Sequence, residues 1–311
     1  MNLNNNLSIV IPTYNRAQIL NSWLENHAKI MHLNNIRVHV QDNASTDGTL
    51  AVLESFKKNF SNITYTINKI NHGADLNFQL AINAVDTKFI WPVGDSYYIS
   101  RDLFNKIILT LKDNSSLFLI INLKNRIKNI NEMLVDADFA CEKLAGVLSC
   151  MGCTIYNRAR LGKVIIGNTW SNFSHVIFIL NLLKSKEEKA QWVNLSIDTL
   201  PGLKRKNWSS TSQVFEIGSK NWIISIDSLK GYSFKSKHKA YRLFSGITGL
   251  FSFKGAINLH AQGLLTVQSI NSYKKYLEKA IGKKYLIFYL VILIPTILLR
   301  IFKKIFTKNV I

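Results

Sequence analysis

Three short polar clusters in the first hundred residues carry the side chains suited to chemistry: Thr13-Tyr14-Asn15-Arg16, Asp42-Asn43-Ala44-Ser45-Thr46-Asp47-Gly48 and Gly94-Asp95-Ser96. Each directly follows an apolar run. A polar turn at the C-terminal edge of a parallel strand presents free backbone N–H groups and short side chains to a nucleotide. Asp42 suits the donors of a base edge, and Asp95 suits ribose hydroxyls or a cation. Arg16 supplies positive charge for phosphates.

The elements that must position these clusters follow from the apolar pattern. Leu7 to Pro12 (LSIVIP) is a continuous β-branched run, as expected of a strand buried on both faces. From Ala17 to Ile30, apolar residues at Ile19, Leu20, Trp23, Leu24, Ala28 and Ile30 recur at helical spacing. The unit repeats as a strand at Ile36–Val40, the second cluster and a helix at Leu50–Phe60. A third strand at Ile63–Ile67 leads through Gly73 to a helix carrying Leu76, Leu80 and Ile82, and a fourth at Lys88–Val93 ends at the third cluster. This alternation predicts a doubly wound α/β sheet with its working loops at the strand C-termini. Beyond Arg101 the pattern predicts a helix at Leu103–Leu111, strands at Leu117–Leu123 and Cys150–Tyr156, and an apolar helix at Ser174–Leu183. A basic, polar loop is expected from Pro201.

The chain has 311 residues, 47% of them hydrophobic, enough for one large core or two modest ones. Its three cysteines do not make a disulfide framework and suit a reducing compartment. MNLNNNLSIVIP lacks a basic n-region and a long apolar stretch, so no secretory signal is expected. The net charge of +20 is concentrated at one end. Residues 203–311 hold nineteen Lys or Arg against three acids, and residues 1–202 are nearly balanced, with twenty against sixteen. Such charge attracts nucleic acid, an anionic membrane or an acidic ligand without choosing among them.

SIVIPTYNR (Ser8–Arg16), DNASTDGT (Asp42–Thr49), the spacing of Asn71, Gly73 and Asn77, and WPVGDS (Trp91–Ser96) resemble, in order and spacing, family 2 glycosyltransferases of the GT-A fold. The resemblance is nearest to the O-antigen, capsule and lipooligosaccharide sugar transferases. It implies a Rossmann-like nucleotide-sugar-binding sheet with flanking helices, followed by a helical basic C-terminal region. It also implies transfer of a sugar from a nucleotide-sugar donor to a hydroxyl of a growing bacterial surface glycan, usually with inversion. The implied donor-binding set is Pro12, Thr13, Tyr14, Asn15, Arg16, Asp42, Asn43, Ser45, Asp47, Gly73, Asn77, Asp95 and Ser96, with Asp95 opening a metal-and-diphosphate motif for Mg or Mn.

The chain departs from the family at that motif, where Asp-x-Asp is replaced by Asp95-Ser96-Tyr97. A phenol is a poor ligand for a hard divalent cation. Three arrangements stay open: a cation held by Asp95, diphosphate and water; Lys or Arg in its place; or a catalytically silent domain that binds a nucleotide sugar or a partner enzyme. An inverting transfer also needs a general base. Where the family has an acidic pair this chain reads TWSNFSHVIF, leaving His175 as the first candidate and Asp198 as the second.

Tyr285–Leu299 is fifteen residues without a charge, flanked by Lys283-Lys284 and by Arg300, Lys303 and Lys304. As a helix it would be about 22 Å long, short of a roughly 30 Å hydrocarbon core. With Pro295 inside it, the run reads as an interfacial segment on an anionic leaflet; a buried core helix and, less favoured, a transmembrane anchor are the alternatives. The expected organisation is therefore a GT-A domain over 1–202, a basic extension on the acceptor side over 203–284 and a membrane-associating helix over 285–311. The expected location is the cytoplasmic face of the inner membrane, with a glycan or lipid-linked glycan acceptor and no nucleic-acid partner. Cys150-x-x-Cys153 reads as core thiols, Trp170, Trp192, Trp208 and Trp222 as core or interface anchors with a candidate sugar platform among them, and the KSKHK run from Lys235 as a solvated face.

Overall fold

The computed structural model describes residues 6–162, 172–202 and 208–296. Two units separate along the chain: Met1–Ala140, Val147–Trp170 and Ser174–Leu203 form the first, and Cys141–Gly146, Ser171–Phe173 and Lys204–Ile311 the second.

In the first unit the apolar runs become strands where expected: β1 (Leu7–Thr13), β2 (Arg37–Asp42), β3 (Ile63–Ile67) and β4 (Phe89–Pro92). The intervening amphipathic stretches become α1 (Ala17–Leu33), α2 (Thr49–Asn59) and α3 (Ala74–Asn83). The order β3-β2-β1-β4 is parallel throughout, with Thr13 opposite Asp42 in register. Parallel strands covered on both faces need apolar side chains on both, and Ile9, Val10 and Ile11 are all buried.

Beyond β4 the sheet departs from a doubly wound pattern. After β5 (Tyr97–Tyr98) and α4 (Arg101–Lys112) come β6 (Phe118–Leu123), β7 (Met133–Val135) and β8 (Thr154–Asn157). A helix α5 (Ser174–Lys186) and β9 (Ala190–Thr199) follow. β8 runs antiparallel between β4 and β6, β9 runs parallel to β6, and β5 and β7 pair antiparallel with β9. The predicted strand at Cys150–Tyr156 is in part a 3₁₀ turn, Met151–Cys153, ahead of β8. β9 escaped the sequence pattern because its polar positions, among them the exposed Asn194 and Asp198, break up its apolar residues.

One buried histidine ties α1 to the far side of the third cluster. His27 is fully buried, stacked on Trp23 with ring centroids 4.3 Å apart. Its Nδ1 lies 2.7 Å from the Trp23 carbonyl, and Nε2 lies 3.0 Å from the Ile99 amide, one residue past β5. The Ile99 N–H needs an acceptor, so Nε2 is unprotonated and Nδ1–H donates to Trp23. Protonation would set a second N–H against that amide. Burial, opposed by the Trp23 hydrogen bond, pushes the His27 pKa from 6.5 down to about 4.

The second unit is helical: α6 (Trp222–Asp227), α7 (Phe234–Thr248), α8 (Phe253–Ala261), α9 (Val267–Ile281) and α10 (Ile287–Val291). Ser233, Ser252 and Thr266 cap α7, α8 and α9 by accepting a backbone N–H, and Thr266 with Ser269 forms a reciprocal capping box. Gly255 is required: a Cβ there would sit 2.2 Å from the Leu250 carbonyl oxygen. The core gathers Phe215, Phe251, Leu259, Ile270, Leu277 and Phe288. Of the basic run, Lys239 pairs with Glu142 and Lys237 donates to the Asp227 carbonyl.

The apolar stretch from Tyr285 does not begin as one continuous helix. A 3₁₀ turn over Gly282–Leu286 leads into α10, which ends at Val291, four residues before Pro295. Proline disfavours helical geometry in the residue ahead of it, which fits an end before that point. Residues 297–311, the rest of the predicted segment, lie outside the described residues, as do Trp170 and part of the loop predicted from Pro201. Among the described residues no helix is long and apolar enough to cross a membrane.

His27 gives a signed pH dependence. Above pH 6.5 both states are neutral and the group is silent; as pH falls towards 4 only the unfolded chain takes up the proton, so stability is lost on acidification. Between pH 7 and pH 5 the unfolding free energy from urea titrations should fall by about 2 kcal/mol through this residue. His27→Gln should give a shallower slope over that range, and equal slopes would sink the assignment.

Candidate active site

The first and second clusters are stitched to each other. Asn15 sits in the left-handed region at φ 50°, a conformation asparagine tolerates better than most residues, and this turns the chain across the end of β1. Its amide donates to Ser45 Oγ at 2.8 Å, and its side-chain oxygen accepts the Thr46 amide at 2.7 Å. Asp47 Oδ2 accepts the Ala17 amide at 2.9 Å at the start of α1, and Oδ1 accepts the Thr49 amide at 3.0 Å. Partial burial opposes the charge on Asp47, but the Ala17 and Thr49 donors outweigh it and hold the carboxyl below its usual range. Asp42 is buried and oriented by Ser45, whose hydroxyl reaches Oδ1 and whose amide reaches Oδ2 at 3.2 Å.

Asp95, also buried, joins the same place from β4. Its Oδ2 lies 2.7 Å from Arg16 Nε and accepts from Thr13 Oγ1 at 3.4 Å. Thr13 is thus the register partner of Asp42 and a hydrogen-bond partner of Asp95, so both carboxylates border one residue at one edge of the sheet. Tyr14 is 42% exposed beside them, an aromatic surface open to a planar ligand. Pro12 and Ser96 complete the strand ends. The Ser96 carbonyl accepts the Leu200 amide at 3.0 Å, so the end of β9 fixes the third loop from behind.

An asparagine network supports this edge. Asn43 donates to Asn71 Oδ1 at 2.7 Å and to the Gly73 carbonyl, while its own oxygen accepts from Asn68 at 2.9 Å and from the His72 amide. Asn68 donates to Asn77 as well and accepts from Gln41 at 2.8 Å. Asn77 closes the ring by donating to the main-chain carbonyls of Gln41 and Thr13. Gly73 has φ 80°, which accounts for glycine at that turn. Sequence reasoning found Asn43, Asn71, Gly73 and Asn77 but missed Gln41 and Asn68, since isolated amides in a strand and at its end carry no periodic signal.

The two candidate bases lie in different settings. His175 opens α5 and is buried, with Nε2 3.3 Å from the Ser149 carbonyl and its ring 5.5 Å from that of Phe78. Burial pushes its pKa down against the opposing pull of Asp75 and the Ser149 carbonyl. Asp198 is exposed on β9, directly opposite Tyr98, which follows Asp95 by three residues. Trp192 and Trp222 are fully buried and offer no sugar platform, and Trp208 packs on the core of the second unit. Cys150 and Cys153 are buried thiols.

Among the described residues no group of three His, Cys, Asp or Glu converges. The third loop contributes one carboxylate, and its Oδ2 already lies against a guanidinium. These residues do not fit a divalent ion held by the protein through paired carboxylates; the fixed positive charge beside Asp95 is Arg16.

Residues 8–159 match the family model described as Glycosyl transferase family 2. They form a family 2 glycosyltransferase domain. The Salmonella typhimurium abequosyltransferase RfbV is 32% identical over 99 residues, which is 31% of this chain and 29% of that relative's length. S. aureus TarS 1–349 in complex with UDP-GlcNAc superposes with a TM-score of 0.54 at 14% identity, covering 92% of this chain and 87% of that one. The mannosyltransferase PcManGT from Pyrobaculum calidifontis, in complex with GDP-Man and Mn2+, gives 0.53 at 16% identity, with 92% and 86% covered. The fold is GT-A.

The asparagine network yields a direct test. Asn68→Asp replaces a donor facing two carbonyl oxygens with a carboxylate, and should lower the unfolding free energy by about 1–3 kcal/mol. The exposed Asn59→Asp, at a helix end, should stay within about 0.5 kcal/mol of the parent. Equal urea midpoints for the two variants would show that the network carries no stability.

Proposed function

We propose that the protein transfers a sugar, with inversion, from a nucleotide-sugar donor to a hydroxyl of a growing bacterial surface glycan. The observation that carries this reading is the meeting of Asp42 and Asp95 on either side of Thr13, with Arg16 against Asp95. Asp42 and Asn43 are assigned to the base, and Asp95 and Ser96 to the ribose. Arg16 answers the charge that develops on the departing diphosphate. The acceptor hydroxyl loses its proton to a base and attacks the anomeric carbon. The bond from that carbon to the diphosphate breaks on the opposite face, and the nucleotide diphosphate leaves.

Asp198 suits the base better than His175. A carboxylate exposed on a strand bonded to the third loop is open to an acceptor, whereas His175 is held in the interior by Ser149 and Phe78. RfbV is an abequosyltransferase, and TarS and the mannosyltransferase PcManGT are complexed with UDP-GlcNAc and GDP-Man, which supports sugar transfer from a nucleotide-sugar donor. The basic C-terminal part is assigned to peripheral attachment at the cytoplasmic face of the inner membrane. Attachment would raise the local concentration of an amphiphilic acceptor. Nucleic acid is not a proposed partner.

The single carboxylate at the third loop favours one rival, a domain that binds nucleotide sugar without turnover. A thermal-shift screen of nucleotide diphosphates, with Mn2+ or with EDTA, separates the cases when joined to an assay for nucleotide release. Binding should raise the melting temperature by mass action, persist in EDTA, and weaken at least tenfold in Asp95→Asn. Asp198→Asn should keep the thermal shift and lose about a hundredfold or more in turnover. A shift that needs Mn2+ would place a cation in the donor site, and a shift without release for any sugar offered would favour the silent domain.

A further inference from the structure

The second unit contains a groove of about 770 Å³ whose chemistry the transfer reaction does not use. Small residues on α7 and after it line it: Gly246, where an added Cβ would meet nothing within 4 Å, and Gly249. Aromatic and aliphatic side chains line it, among them Phe251, Phe253, Ile281 and Phe288. Arg242, Lys283 and Lys284 also line it, all exposed, and none is in an ion pair among the described residues. A slot with a hydrocarbon interior and three cations has the two-part character of an amphiphile with an anionic head.

What lies beside the groove identifies the amphiphile's source. Over the 3₁₀ turn and α10, Tyr285, Phe288 and Val291 face the core, while Leu286, Ile287, Leu290 and Leu293 are 42–76% exposed. The exposed positions recur at intervals of three and four, so they form one ridge. Ile287 belongs to both ridge and groove, making the two surfaces continuous. A helix apolar on both faces suits an apolar surrounding on its outer side, and cations at the same level suit an anionic leaflet.

We propose that this groove takes up one anionic phospholipid from the bilayer, acyl chain between Phe253 and Phe288 and head group against Arg242, Lys283 and Lys284, while the Leu286–Leu293 ridge enters the leaflet. The proposal rests on the peripheral-membrane part of the functional reading and adds a lipid-specific site to it. A zwitterionic lipid brings its phosphate to the three cations together with a competing positive charge, and a free anion offers nothing to the walls.

The test uses the full chain without any sugar donor, so its outcome is independent of the transferase reading. The probes are short-chain phosphatidylglycerol below its micellar concentration, the matching phosphatidylcholine, inorganic phosphate, and vesicles of the two lipids. Phosphatidylglycerol should bind one to one, at least tenfold more tightly than phosphatidylcholine, and phosphate should not compete. Gly246→Leu fills the slot at a helical position where leucine is favoured over glycine, and should weaken binding at least tenfold while the melting temperature is retained. Changing Arg242, Lys283 and Lys284 singly to Gln should cost roughly fivefold each. Unchanged binding by Gly246→Leu, or equal affinity for the two lipids, would overturn the site. So would a dimer in light scattering that Gly246→Leu dissolves, which would give the groove to a second copy of the chain.

Discussion

The arrangement of the donor edge turns on the burial of two carboxylates around the end of β1. A buried carboxylate is costly unless it is hydrogen-bonded or paired, and both are answered locally. Asp42 is answered by the hydroxyl and amide of Ser45, Asp95 by Arg16 and Thr13. Because Arg16 and Thr13 belong to the turn that Asn15 stitches to Ser45 and Thr46, the two acids are supported by one connected set of bonds. Removing Ser45, Thr13 or Arg16 takes a partner from a buried carboxylate, so these loops are tied to one another.

Rigidity behind that unit comes from amides, not charge. Asn43, Asn68 and Asn77, with Gln41, use donors and acceptors in turn, so each side chain satisfies two or more neighbours. Amides suit this role beside Asp42, since added carboxylates would repel it and added cations would compete with Arg16. The third loop is braced from both directions, by β9 through Leu200 and Thr199 and by His27 through Ile99. The His27 bond needs a neutral ring, which makes the loop's support dependent on pH.

The second unit follows a different rule. Its helices start on hydroxyl caps and close over an aromatic core, yet α10 remains apolar on its outer side and the cations near it are unpaired among the described residues. The apolar face is costly in water, and both features are natural at an anionic interface. The first unit, nearly balanced in charge, uses its arginine at the donor edge inside a network instead.

The sequence by itself determined the parallel half of the sheet, because strands buried on both faces must read as continuous apolar runs, and Leu7–Pro12 does. It also placed Asp42 and Asp95 at strand ends, where a polar turn must follow. It did not determine that those ends adjoin, which depends on β1 lying between β2 and β4, a matter of strand order that no local pattern encodes. Nor did it reveal β9, whose exposed polar positions interrupt its apolar ones, or the roles of Asn68, Gln41 and His27. Gln41 and Asn68 act through each other across 27 positions and His27 through Ile99 across 72, and only folding brings such partners within a hydrogen bond's length.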